Sequence, residues 1–196
     1  VNCLPFARCL KPFRVRRRFC ARPTGTWKPP ISPGLHLSMP VEPRTLADLG
    51  RLLKSRELTA EAATRECLAR VTELNRSINA FITVLEDEAL AQARNADREI
   101  AEGAYRGPLH GVPVSLKDII DLRDTPTTAA SHVRDGHVAR RDATLAGRLR
   151  QAGAIFVGKT NLHEFALGTT NEDSAYGPAR HPLDPARSPG GSSGGS

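Results

Sequence analysis

Apolar residues recur at helical spacing in four segments of the chain, and the first of them begins at Thr45. Asp48 follows three residues later, the pattern of an N-cap box, and Thr59 is placed to cap a second helix. A third helix is predicted over residues 86–102 and a fourth over 142–151. The residues expected to face the core from these helices are Leu46, Leu49, Leu52, Leu53, Ala63, Cys67, Val71, Leu74, Leu90, Ala93, Ala96, Ile100, Leu145 and Leu149.

Three shorter apolar runs are predicted strands, over residues 80–85, 111–117 and 154–157. Pro113 has no backbone N–H to donate, so we expect the second strand to start at a sheet edge. The third run is apolar throughout, which is typical of a strand buried on both faces. A short helix is expected over residues 161–167. Helices that alternate with such strands indicate the α/β class.

The formal net charge of +7 is concentrated at the front of the chain. Residues 1–38 hold eight Lys and Arg, six Pro and no acidic residue, whereas residues 39–196 hold 20 basic and 21 acidic residues. The one methionine, Met39, lies at this boundary. We predict a basic, proline-rich extension over 1–38, disordered or non-native, and a folded domain over 39–196. An organellar presequence and an RNA-binding arm are alternative interpretations of the extension.

Membranes and nucleic acids are not the partners that this sequence predicts. No apolar run approaches the roughly 18 residues of a membrane-spanning helix. Because residues 39–196 are nearly neutral, they carry no basic surface signal for nucleic acid. We expect a cytoplasmic protein, with a mitochondrial location as the alternative that the Arg-rich, acid-free N-terminus leaves open.

Two features that often mark cofactor sites do not do so here. Residues 153–160 match the phosphate-loop spacing G-x-x-x-x-G-K-T, but the intervening Ala-Ile-Phe-Val favours a buried strand rather than a small-residue loop. We therefore interpret the match as a strand bracketed by turns. The histidines are scattered without metal-ligand spacing, and His132 and His137 lie in a polar segment. Neither a metal nor another cofactor is predicted, and Cys67 is interpreted as a small core residue.

Residues 188–196, Ser-Pro-Gly-Gly-Ser-Ser-Gly-Gly-Ser, allow three interpretations. They match a flexible Gly/Ser linker. They also match the nucleophile elbow G-x-S-x-G twice, but that motif needs a strand before it and a helix after it, and neither pattern is present. The third interpretation is a backbone-rich pocket, in which glycines permit close approach and serine hydroxyls relay protons.

Ordered blocks of the sequence favour the third interpretation because they resemble the amidase signature family. The blocks are HGVPVSLKD at 110–118, the segment 142–170, and SAYGPARHPLDPARSPGGSSGGS at 174–196. The resemblance implies part of a mixed sheet flanked by helices, preceded by N-terminal helices. It also implies a Ser–cis-Ser–Lys triad, with Lys117 as the lysine, Ser192 as the cis-serine and Ser193 as a hydrogen-bonding support for the lysine. The nucleophilic serine is expected roughly two dozen positions beyond Ser192. We therefore expect an N-terminal part of an enzyme that ends before its nucleophile and is inactive alone.

The role implied for Lys117 sets a physical requirement. A lysine that acts as a base near neutral pH needs a pKa about 3 units below its free value of about 10.4. A carboxylate in contact would oppose that shift, and Asp118 is the next residue. Successive side chains of a strand point to opposite faces, so the two need not meet. The alternative is a surface lysine at a strand end.

Three functions follow from these observations. The first is a stand-alone amidase that hydrolyses a small linear carboxamide to acid and ammonia through an acyl-enzyme. The second is the glutamine-hydrolysing A subunit of a tRNA-dependent amidotransferase, with partner subunits and tRNA. His163 and Ile119 differ from the residues more often found in that protein, which favours the first. The third is a non-catalytic nucleic-acid-binding protein acting through the basic N-terminal segment.

Overall fold

The computed structural model describes residues 45–196, so the extension predicted over 1–38 lies outside the described residues. Four α-helices are present: α1 (Leu46–Ser55), α2 (Ala60–Ile78), α3 (Glu86–Ala101) and α4 (Thr144–Gln151). The three strands are β1 (Phe81–Val84), β2 (Pro113–Lys117) and β3 (Ile155–Thr160). Within the described range, no helix has the length and apolar content needed to span a bilayer.

The strands form one mixed sheet in the order β1-β3-β2. β3 pairs antiparallel with β1 and parallel with β2, and the parallel register places Lys117 opposite Thr160 and Leu116 opposite Lys159. The central strand β3 is buried along its whole length. β2 is an edge strand of this sheet, as the proline at its start predicts.

Helices cover both faces of the sheet, and alternate residues of β3 therefore contribute to different cores. Ile155 and Val157 pack with residues of α1, α2 and α3, whereas Phe156 packs with Leu116, Leu122 and Ala146 of α4. The predicted class, α/β with N-terminal helices and a mixed sheet flanked by helices, is confirmed.

The predicted helix starts are also confirmed. The Thr45 hydroxyl accepts from the Asp48 N–H, and the Thr59 hydroxyl accepts from the Ala62 N–H, both at 3.1 Å. A contact that the local sequence does not predict strengthens the second cap. The Asp97 carboxylate of α3 accepts from the first two N–H groups of α2, at 2.6 and 3.0 Å.

Several local predictions are wrong. Helical spacing predicts Leu46, Leu74 and Leu145 in the core, but all three are about half exposed. In α2 the buried stripe runs instead through small residues and ends at Leu68, because α3 packs closely along that side. The helix expected over 161–167 is a single 3-10 turn, Glu164–Ala166, because the Asn161 side chain and left-handed backbone at Phe165 stop regular helix.

Candidate functional site

The structure brings Lys117 and Ser192 together. Lys117 is the last residue of β2, and Ser192 follows a cis Gly191–Ser192 peptide bond in the glycine-rich segment 188–196. The Lys117 ammonium donates a hydrogen bond to Ser192 Oγ at 2.6 Å. The backbone of Ser192 is also held in place, because its carbonyl accepts a hydrogen bond from the His163 N–H at 2.9 Å. The contact joins an amine and a hydroxyl in the geometry needed for proton transfer.

The surroundings of Lys117 favour its neutral form. Burial lowers the pKa of this lysine below its ordinary value. Within residues 45–196 no carboxylate forms an ion pair with it. Asp118 points to the other face of β2, where its carboxylate lies 2.9 Å from the Lys159 ammonium. The expectation that strand alternation separates Lys117 from Asp118 is confirmed.

Glycine is required where the segment 188–196 packs against other backbone. A Cβ on Gly191 would lie 2.9 Å from the Thr169 carbonyl carbon and 3.0 Å from the Thr170 nitrogen. A Cβ on Gly195 would lie 2.7 Å from the Asn161 nitrogen. The flexible-linker interpretation is therefore wrong, and close backbone approach is confirmed as the reason for these glycines.

Ser193 is placed differently from Ser192. Its side chain is exposed, and within the described range no hydrogen bond joins it to Lys117. Its backbone carbonyl accepts from the Ser196 N–H at 3.1 Å. The supporting role expected of Ser193 stays a prediction.

The sequence did not reveal the buried ion pair beside the site. Lys159 and Asp118 are both 0% exposed. Lys159 also donates to the Pro126 carbonyl at 3.1 Å and to Thr127 Oγ1 at 3.0 Å, and Asp118 accepts from both the N–H and the hydroxyl of Thr128. One sequence signal was present: a lysine that continues a strand buried on both faces must find a partner for its charge.

The contacts of His110 and His132 do not involve Lys117 or Ser192, and the phosphate-loop match is part of a strand. His110 is buried, accepts from the Arg106 N–H at 3.1 Å and lies 3.0 Å from a Glu99 carboxylate oxygen. His132 is exposed and lies 3.0 Å from Asp135. Gly158, Lys159 and Thr160 continue β3, as the rejection of a phosphate loop requires. Across residues 45–196 no group of three or more His, Cys, Asp or Glu could hold a metal ion.

Comparisons with known proteins identify relatives of this chain. The family model "Amidase" matches residues 62–196. The A subunit of the glutamyl-tRNA(Gln) amidotransferase of Thermobifida fusca (strain YX) is 51% identical over 150 residues, which cover 76% of this chain and 30% of the relative. Its counterpart from Geobacter metallireducens (strain ATCC 53774 / DSM 7210 / GS-15) is 47% identical over 152 residues, covering 78% of this chain and 31% of the relative.

A solved amidase structure shows the same fold. The native peptide amidase from Stenotrophomonas maltophilia superimposes with a TM-score of 0.73 at 39% identity, over 81% of this chain and 34% of that chain. This chain thus spans about 30% of the length of the curated relatives that it matches. With a family model over most of the chain and the same fold in a solved amidase, the chain belongs to the Amidase family.

Proposed function

We propose that this chain carries the lysine–serine part of the acyl-transfer machinery of an amide-hydrolysing enzyme. The observation that supports it is the 2.6 Å hydrogen bond from Lys117 Nζ to Ser192 Oγ. Since burial lowers the pKa of Lys117, a larger fraction of its amine is neutral near pH 7 than for a free lysine. A neutral amine in contact with a hydroxyl is the general base that a serine relay needs.

In the proposed reaction, Lys117 takes the hydroxyl proton of Ser192 while Ser192 takes the proton of a nucleophilic serine. The nucleophilic oxygen bonds to the amide carbonyl carbon, and the C–N bond breaks when the relay returns the proton to the leaving nitrogen. Ammonia leaves at this step, and water then hydrolyses the acyl ester through the same two groups, which releases the acid and restores the serine hydroxyl. We place the nucleophile in the full-length protein, roughly two dozen positions beyond Ser192, because the chain spans only 30% of its relative.

Two forms of this activity are proposed for the full-length protein. A stand-alone amidase is supported by the likeness to a solved peptide amidase. Glutamine hydrolysis within an amidotransferase that uses partner subunits and tRNA is supported by the relatives at 51% and 47% identity. Those identities exceed the 39% shared with the peptide amidase and outweigh the differences at His163 and Ile119. The basic-segment alternative, a nucleic-acid-binding protein without catalysis, has no support from these relatives.

The relay is tested by Lys117→Ala in the full-length protein, assayed for ammonia release from primary amides and from glutamine. We expect at least a roughly 10³-fold loss of kcat with an unchanged melting temperature, because the base is removed and the fold is not. Lys54→Ala, an exposed lysine in the last turn of α1, is the control and should stay fully active. Retention of more than a few per cent of activity by Lys117→Ala would refute the assignment.

The two forms are separated by substrate and partner dependence. A stand-alone amidase should hydrolyse primary amides at a rate that purified partner subunits and charged tRNA leave unchanged. A member of an amidotransferase should prefer glutamine, and its glutamine hydrolysis should rise when partner subunits and glutamyl-tRNA(Gln) are added. A rate that is independent of both additions, together with preference for other amides, would exclude the amidotransferase form.

A further inference from the structure

The buried ion pair between Lys159 and Asp118 does more than neutralise two charges. Burial of both groups costs desolvation, and such pairs can often be replaced by apolar side chains without loss of stability. The other side-chain hydrogen bonds of the pair all go to one short segment, residues 126–128. Lys159 donates to Pro126 O and Thr127 Oγ1, and Asp118 accepts from Thr128. The pair therefore clamps the 126–128 segment to the ends of β2 and β3.

Ala129, which directly follows the 126–128 segment, belongs to a closed ring of hydrogen bonds and peptide bonds that contains the Lys117–Ser192 contact. The Ala129 N–H donates to the Asp118 carbonyl at 2.8 Å, and the Phe165 N–H donates to the Ala129 carbonyl at 2.9 Å. The Ala166 N–H donates to the His163 carbonyl at 2.8 Å, and the His163 N–H donates to the Ser192 carbonyl at 2.9 Å. The bond from Lys117 to Ser192 closes the ring.

The backbone of this ring is in a conformation that its own residues disfavour. Ala129 and Ala130 have φ of 53° and 54°, and Phe165 and Ala166 have φ of 50° and 61°. Non-glycine residues persist in the left-handed region only where surrounding contacts hold them. The N–H groups of the first two donate to the Asp118 carbonyl and to the Thr128 hydroxyl, the latter at 3.1 Å, and their carbonyls accept from the Phe165 and Ala175 N–H groups.

We propose that Asp118 and Lys159 are positioning residues that fix the distance between Lys117 and Ser192 by clamping the 126–128 segment, which leads into Ala129 of the ring. This inference rests on the proposed function, because positioning has a consequence only if the Lys117–Ser192 pair carries the reaction. Neither residue contacts the reacting atoms. Their effect passes through backbone to both members of the pair, and misplacement of a catalytic group by about 1 Å can cost about 100-fold in rate.

Two double variants of the full-length enzyme test the clamp. Asp118→Leu/Lys159→Met removes both charges and every side-chain hydrogen bond to the 126–128 segment. Asp118→Asn/Lys159→Gln removes the charges but keeps donors and acceptors facing that segment. We expect the apolar double variant to fold and to lose about 100-fold in kcat with KM changed less than about threefold. The polar double variant should keep kcat within about tenfold of the wild type. Thr128→Val, which loses one hydroxyl contact, should fall between the two and keeps the test open if the apolar variant does not fold.

Asp97→Ala is the matched control, because it removes a half-buried cap of α2 near Gly111, at the far end of β2 from Lys117. It should lower the melting temperature and leave kcat unchanged. The inference is overturned if the apolar double variant has wild-type kcat, if both double variants lose kcat equally, or if Thr128→Val is as active as the wild type. Lys117→Ala is assayed alongside. If it stays active, the proposed function fails and this inference with it; if it is inactive while the double variants are fully active, only the positioning role fails.

Discussion

The sharpest test of the site geometry is Gly191→Ala, because the backbone on which Gly191 packs leaves no room for a methyl group. Its Cβ would lie 2.9 Å from Thr169 C, 3.0 Å from Thr170 N and 3.1 Å from Asn171 N. Ordinary carbon contacts need about 3.5–4.0 Å, so the segment must move by about 0.5–1 Å. All three neighbours are backbone atoms that cannot rotate away.

The displacement acts directly on Ser192, the next residue. A shift of that size along the contact lengthens its 2.6 Å distance to Lys117 to about 3.1–3.6 Å, at or beyond the limit of a normal hydrogen bond. We expect kcat of the full-length enzyme to fall about 100-fold and overpacking to cost about 1–3 kcal/mol of stability. The assay is kcat by ammonia release, paired with urea denaturation.

Gly147→Ala is the control for a glycine substitution in the same chain. Gly147 lies in α4, and outside the backbone of that helix the added Cβ would meet only Asp142 Cβ, at 3.9 Å. Because alanine is the better helix former, this variant should gain about 0.5–1 kcal/mol and keep its activity. Wild-type kcat in Gly191→Ala, with the fold intact, would refute the claim that this close packing sets the position of Ser192.

Three further predictions follow from the described contacts. Burial lowers the pKa of His110, so the folded protein favours the neutral imidazole. The contribution of His110 to stability should therefore be complete above the free pKa of about 6.5 and fall as the pH drops below it. His110→Gln should flatten the urea-midpoint profile between about pH 7.5 and 5.5. The lowered pKa of Lys117 places the acid limb of kcat/KM below 10.5, and a limb at or above that value would contradict a buried base. Asp97→Ala should cost about 1–2 kcal/mol in urea denaturation, since two N–H donors of α2 lose their acceptor.

The elements that were predicted correctly are those whose signal lies within a few residues. Thr45 and Thr59 cap helices because a hydroxyl there reaches an N–H three positions on. The buried run of β3 needed only its own composition. In contrast, Leu74 was misplaced because the burial of α2 depends on where α3 lies, which periodicity within one helix does not determine.

The candidate site shows the same difference between signals within a few residues and contacts between distant parts of the chain. Lys117 and Ser192 were identified by resemblance alone, and their 2.6 Å contact depends on a chain path that no local rule provides. Lys159 carried a local signal, a charge inside a buried strand, but its partner was not predictable. Asp118 reaches it because parallel pairing sets Leu116 beside Lys159 and brings the end of β2 to the same level.

The parallel pairing of β2 with β3 also explains why Lys159 lies against a carboxylate whereas Lys117 lies against a hydroxyl. Leu116 of β2 and Asp118, which directly follows β2, share a face with Lys159, whereas Lys117 points the other way. The carboxylate of Asp118 is therefore used by Lys159, and Lys117 is left with a hydroxyl and with burial. A carboxylate beside Lys117 would stabilise its charged form and raise its pKa, which would remove its capacity as a base. Strand alternation thus separates Lys159, which is paired with a carboxylate, from Lys117, the proposed base.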